Sequence, residues 1–449
     1  MNSKLQLKSS IKKLEEGFEW AKKQAMEYVH DGEDPVGLWY EAALPMREAF
    51  CMRDVSHQSY GAAALGLGAH TKNMLRRFAE NISESRDYCT YWEITRENLP
   101  CRDDYEDDSD FWYNFPGSFE VIRACYQQCL WNGDSGYYGD EIFRKYYAWT
   151  CEKLVEYWDK DRDGILEHYP EYGRRGLASY NETDVAILTA GDMLASQYAG
   201  YDAYVHFLEL DGKVQEAEKY RKKRDDLKDK YLKQWYDPEK KEFYGAIKSD
   251  GEFYEGYYKE GNFLPIFFGI LQGEETLKDA VEQLKRHGVE NVEGMSYLPT
   301  IYYECGEEEI GWEILMNLCE PDLYRREYPE VSFAVIGAIV NQLMGLQAGK
   351  DGEIISCSRI QEGENAGLEH ISILEGEIDL YHEGKRSSIL KNHTGKKRCW
   401  KVCFQGKYEI LEVNGKEIKA LQGKDGAGRQ ISWANVPVEN GERVTVVVK

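Results

Sequence analysis

The chain has 449 residues, 42% of them hydrophobic and 30% charged, a globular balance with enough length for one large core and a smaller second domain. Its formal net charge of −24 excludes a general nucleic-acid binder and argues against an anionic membrane surface, so a neutral partner is expected. The 33 Tyr and 11 Trp supply flat rings of the kind that pack on the apolar faces of sugars.

In chain order, the opening MNSKLQLKSSIKKLEE lacks the apolar core of a secretory signal, and no run approaches the ~20 apolar residues that span a bilayer. Eleven scattered cysteines, without paired CxxC repeats, fit free thiols in a reducing, cytoplasmic setting, with no metal expected. Hydrophobic periodicity then predicts twelve helices. They run over Ser3 to about Tyr28, Ser56–Leu67, Thr71–Ile82, Phe115–Leu130, Glu141–Tyr157 and Glu182–Tyr198, then Val205 to about Trp235, Asn262–Leu271, Glu275–Arg286, Met295–Cys305, Glu307–Leu318 and Val331–Leu346.

The helices fall into six pairs, polar-faced first and apolar second. Connectors from an apolar helix to the next polar one are short: GAH, WNGDSGYYGD, AGYDAY and QGEE. Those from polar to apolar are mostly long, about His30–Val55, Ser83–Asn114, Asp159–Asn181 and Tyr236–Gly261, with shorter ones near 288–294 and 321–330. Ordinary connections take about 4–6 residues, and longer ones tend to carry function. Apolar helices lining an inner ring, with charged helices outside, satisfy this pattern; an open solenoid uses the same pairing. The expected fold is mainly α: an (α/α)6 toroid barrel of six helical hairpins over residues 1–350. Short alternating runs such as IISCSRI and VTVVVK predict a small C-terminal antiparallel β domain over 351–449.

All long connectors then emerge at the N-terminal ends of the inner helices, where free N–H groups favour acidic side chains. In LPMREAFCMRDVSHQ, Arg53 and Asp54 stand just before the first inner helix. A carboxylate there can accept two sugar hydroxyls, with the guanidinium fixing it; helix capping and a surface ion pair are the plainer explanation. Glu48 and His57 lie close enough to join that wall. Trp92, Glu93, Trp112 and Asn114 in the second connector, and Tyr258 in the fourth, are candidate stacking or hydroxyl-binding groups. In the third, Asp159, Asp161, Asp163 and Gly164 open like a calcium loop. The twelfth position, however, is Pro170, with Glu171 one residue late, so a self-bonded acidic turn is expected. Glu182 and Asp184 open the next inner helix, and Glu182 is the candidate proton donor, with Glu171 and Glu167 as rivals. Glu330, before the last inner helix, is the candidate base that activates water.

With these residues in place the chain resembles the six-hairpin glycosidase superfamily over roughly residues 4–347, similar to glucoamylase-like and bacterial α-L-rhamnosidase-like hydrolases. The resemblance implies that Arg53 and Asp54 of MRDVSHQ bind the terminal sugar, that Glu182 is the acid and that Glu330 of PEVSFAVIGAIVNQLMGL is the base. The rhamnosidase-type GWTGD segment is missing, and REAFCMRD replaces it loosely, which makes Glu48 a rival acid. The usual preceding β domain is also absent. The function expected is an inverting exo-acting glycoside hydrolase acting on an oligosaccharide or glycoside, without a cofactor. A glycoside phosphorylase, with a phosphate pocket built from Arg174, Arg175, Arg325 or Arg326, and a non-catalytic glycan-binding protein are the alternatives.

Overall fold

Alternation of apolar and polar-faced helices becomes two concentric rings. The computed structural model describes residues 3–182 and 186–449. In chain order the helices are α1 Lys12–Glu27, α2 Met52–Ala64, α3 Gly68–Glu80 and α4 Phe115–Asn132. Helix α5 covers Glu141–Ala148 and continues through a π turn to Trp158. Next come α6 Gly191–Leu210, α7 Val214–Gln234, α8 Glu260–Phe267 and α9 Leu277–His287. The last three are α10 Val292–Cys305, α11 Glu308–Leu318 and α12 Pro329–Gly337, which extends through a π turn to Leu343. Even-numbered helices form the inner ring and odd-numbered helices the outer one. Each inner helix packs on the next, and α12 returns to pack on α2, so the ring closes and the solenoid alternative is set aside. No helix is long and apolar enough to cross a membrane among the described residues.

Closure depends on a backbone contact. Gly61 of α2 faces α12 so closely that a Cβ there would sit 2.0 Å from the Phe333 carbonyl oxygen. A backbone atom cannot swing aside as a side-chain tip can. Gly61→Ala is therefore expected to cost about 3 kcal/mol, read as a lower denaturation midpoint. Gly139→Ala, with nothing within 4 Å of its Cβ, is the near-neutral control.

Several element boundaries differ from expectation. The N-terminal helix begins at Lys12, because the alternation in QLKS gives a strand, Gln6–Ser9, that pairs antiparallel with Asn365–Ile373. The sixth helix begins at Gly191 instead of Glu182 and runs through AGYDAY to Leu210. Nothing in AGYDAY breaks a helix; the turn comes at Asp211–Gly212, where Gly212 takes φ +73. The residues before α6, Ile187–Ala190, are instead drawn into a two-stranded sheet with Ala246–Lys248.

Beyond the barrel, a seven-stranded sheet that includes Gln6–Ser9 and a five-stranded sheet make up the β region. Pairing is antiparallel except between Ile354–Cys357 and Arg398–Gln405, which run parallel. The β region docks at the C-terminal end of α4, where the Trp131 indole donates to the Ser372 carbonyl (2.7 Å). Another tie is Glu308, at the start of α11, which pairs with Lys385 (2.6 Å) and Arg429 (2.9 Å). The opposite end of the barrel is left to the long connectors.

Candidate active site

Every inner helix except α4 carries an acid in its first turn: Asp54, Asp192, Glu260, Glu293 and Glu330. Unpaired N–H groups at those ends favour that placement. Four of the five, all but Asp192, line one cavity of about 480 Å³ at the centre of this end.

Strand Ala49–Cys51 pairs with Glu93–Thr95, with Cys51 opposite Glu93, so the first and second connectors lie side by side. This pairing delivers α2 to the cavity one turn earlier than expected. Arg53 and Asp54 therefore lie inside its first turn, not ahead of it. Arg53 reaches across to Glu182 (Nη2–Oε1 2.9 Å), donates to the Tyr180 carbonyl (3.2 Å) and lies over the Tyr180 ring at 4.6 Å. Glu182, on a connector rather than a helix start, thus enters the cavity as the ionic partner of Arg53. The connector itself is held by Asp192, fully buried at the start of α6, which accepts from the Tyr180 N–H (2.6 Å). Burial pushes the Asp192 carboxyl up to about 8.

Glu330 is buried behind Pro329, which sets the helix start. The Gln58 amide, oriented by its partners, donates to the Glu41 carbonyl and accepts from the Glu330 N–H (3.0 Å), fixing α12 against α2. Burial raises the Glu330 carboxyl well above the ordinary carboxylate range, and the neighbouring Asp54 charge raises it further. Asp54 is pushed up to about 6, again chiefly by burial, which Arg53 opposes and the charges of Glu182 and Glu293 reinforce. Burial and the Asp54 charge thus both favour the protonated form of Glu330.

Aromatic rings complete the wall. Trp92 and Trp112 meet edge to face at 4.6 Å. His57 stacks on Tyr297 at 3.7 Å, and its Nε2 pairs with the Ser296 hydroxyl (2.8 Å). Burial lowers the imidazole to about 3, so it stays neutral. Glu93, 3% exposed, pairs with Arg47 (2.8 Å), which also lies 3.7 Å from Asp104.

Of the residues expected from sequence, Arg53, Asp54, His57, Trp92, Glu93, Trp112, Glu182 and Glu330 line the cavity. Four lie elsewhere. Glu48 is an exposed partner of Arg96 (2.5 Å). Asn114 is fully buried and donates to the Ser179 carbonyl, tying two connectors together. Glu171 is exposed on a short 3-10 turn, Pro170–Tyr172. Tyr258 is buried against Tyr254. Glu167, the other rival, is buried outside the cavity and accepts from the Tyr169 hydroxyl. Asp184 lies outside the described residues. Arg47, Asp104, Tyr180, Glu260, Glu293 and Tyr297 line the cavity without having been singled out. Glu293 and Glu260 were within reach of the rule that placed Glu330, an acid at an inner-helix start.

Among the described residues, two acidic groupings have ligand-like spacing. Glu93, Cys101 and Asp104 converge, but the Arg47 guanidinium already balances their charge. Asp159, Asp161 and Glu167 also converge, yet the loop closes on itself: Asp159 accepts from the Gly164 N–H (2.9 Å), Asp161 from the Asp163 N–H (2.8 Å), and Lys230 pairs with Asp163 (2.9 Å).

The sequence matches no protein-family model and no curated relative. Solved structures do match. A GH78 family rhamnosidase of Bacillus sp. GL1 superposes with a TM-score of 0.61 at 12% identity, covering 88% of this chain and 41% of that one. An α-L-rhamnosidase from Dictyoglumus thermophilum gives 0.60 at 13%, covering 100% of this chain and 51% of that one. A putative kojibiose phosphorylase from the human microbiome gives 0.56 at 12%, covering 98% and 68%. The chain shares its (α/α)6 toroid fold with these structures. It spans about half the length, or less, of these two rhamnosidases. Within this fold the acid-lined cavity lies where the six connectors from outer to inner helices converge.

Proposed function

We propose that this protein is an exo-acting glycoside hydrolase that removes the terminal sugar of an oligosaccharide or glycoside. The observation that carries the reading is the meeting, in one ring-walled cavity, of the Arg53–Glu182 ion pair with the carboxyls of half-buried Asp54 and buried Glu330. Its volume falls within the range of small-molecule sites. Asp54 and Arg53 bind adjacent hydroxyls of the terminal sugar, and Trp92 and Trp112 pack against its apolar face. The likeness to rhamnosidases supports a sugar substrate.

Inverting hydrolysis takes one carboxylic acid to protonate the leaving oxygen and one carboxylate to activate water on the opposite face. The sequence order puts the acid at Glu182 and the base at Glu330; the electrostatics of the cavity support the reverse. Burial and the Asp54 charge favour the protonated form of Glu330, whereas Glu182 is ion-paired with Arg53. Glu330 then gives its proton to the glycosidic oxygen as the C1–O bond breaks. Glu182 takes a proton from the water whose oxygen bonds to C1, and solvent resets both groups.

A phosphorylase needs free cationic groups for phosphate. Arg174 and Arg175 are engaged by Asp110 and Asp87 (both 2.7 Å), Arg325 lies 3.6 Å from Glu293, Arg326 lies over the Trp20 ring (3.6 Å), and none of the four lines the cavity, which favours water as the acceptor. The test is release of sugar from a panel of nitrophenyl glycosides and natural disaccharides, with and without phosphate, with the first-formed anomer followed by NMR. Phosphate-independent release of the inverted anomer is expected. Strict phosphate dependence would reassign the protein as a phosphorylase, and binding without turnover would make it a glycan-binding protein.

A further inference from the structure

His57, which lines the cavity, also borders two small spaces. One, of about 30 Å³, is shared with Ser296, Glu304 and Asn341; the other, of about 10 Å³, is shared with Glu120 and Arg123. Both share walls, through Tyr60, Arg123 and Glu304, with a larger space of about 210 Å³. That space reaches Gln347, exposed just after the end of the last inner helix. A string of spaces thus follows the toroid axis from the cavity to the opposite end of the barrel.

Inner helices of a double ring bury their faces twice over and should be apolar along the axis. Here the axis is polar, and four of its buried atoms have no protein hydrogen-bond partner: His57 Nδ1, Glu120 Oε1, Asn341 Oδ1 and Gln342 Oε1. Leaving such a group unsatisfied costs about 1–3 kcal/mol, so buried polar atoms almost always have a partner, ordered water included. A polar space of roughly 10–15 Å³ suffices for one water.

We propose that the toroid axis is a water conduit joining the cavity to the far face of the barrel, with the His57 ring as its septum. The functional consequence rests on the hydrolase reading. Each turnover consumes one water in a pocket filled by the terminal sugar, while the rest of the substrate covers the mouth. The axis then supplies that water from below and lets displaced waters leave as the sugar seats.

A high-resolution crystal structure of the full chain tests the conduit directly. Ordered waters on His57 Nδ1 and Glu120 Oε1, continuing to Gln347, are expected. An empty axis, or side chains turned to pair these atoms with protein, would overturn it. This readout stands whether or not the protein hydrolyses glycosides. The supply role is read with two plugs, Ala338→Leu in the small space and Ala348→Trp at the distal opening, the second a partly exposed position that tolerates bulk. Each is expected to lower kcat at least about threefold with KM little changed. Unchanged kcat in the distal variant, with its indole seen filling the opening, would reject supply through the axis.

Discussion

Glu330→Gln is expected to lower kcat about a thousandfold or more while the chain folds normally, because the amide keeps the shape of the side chain and loses the transferable proton. Glu330 sits in the first turn of α12, behind Pro329 and against Gln58, so neither the helix start nor its packing needs the carboxyl. The deficit should depend on the leaving group. A dinitrophenyl glycoside, which departs without protonation, should recover most of the rate in Glu330→Gln, whereas an alkyl glycoside should not. Glu182→Ala should show the other pattern: a loss on every leaving group, with partial rescue by azide, which needs no base. If azide rescues Glu330→Ala and activated leaving groups rescue Glu182→Gln, the order expected from the sequence is restored. The pH profile carries a second sign. A donor held protonated by burial gives a rate that falls as pH rises through its raised pKa, so wild type loses activity on the alkaline side. With the dinitrophenyl substrate that alkaline limb should flatten.

How far this site was legible depends on the range of the interactions that build it. The ring follows from local periodicity: VSFAVIGAIVNQLMGL is apolar on all faces, the α7 segment VQEAEKYRKKRDDLKDKYLKQ is charged on most, and their strict alternation forces an inner and an outer ring. The phase of the long connectors then names the functional end, and MRD and PE at helix starts name Arg53, Asp54 and Glu330. Long-range pairing was not legible. Ile187–Ala190 is drawn into a strand by Ala246–Lys248, which moves the start of α6 from Glu182 to Gly191 and leaves Glu182 on a connector. Leu7 packs inward from a strand whose partner lies more than 350 residues away, with Leu5 buried just ahead of it. Asn114 and Tyr258 illustrate a different loss. Their residue types suit sugar binding, but their side chains are taken up in holding the connectors, and only tertiary contacts distinguish the two uses.

Asp54→Asn separates binding from stability. The sugar reading has Asp54 accepting from adjacent hydroxyls of the terminal residue, and charged hydrogen bonds of that kind contribute about 1.5–3 kcal/mol each, so kcat/KM should fall a hundredfold or more. Stability should move the other way. Burial raises the folded-state carboxyl to about 6, against 3.8 for the free side chain. A carboxyl raised on folding contributes its stabilisation below 3.8, and that contribution is lost as pH rises through about 6. At pH 7–8 the native protein therefore carries an ionised Asp54 beside buried Glu330, a cost the amide removes. The variant should melt about 2–3 °C above wild type there and show no such advantage near pH 3, where Asp54 is largely neutral in both states. Calorimetry at the two pH values checks it. A melting point lowered equally at both would mean that Asp54 serves the start of α2 as a cap. A gain confined to the higher pH, together with the loss of kcat/KM, would mean that the fold tolerates this buried charge for the sake of the ligand.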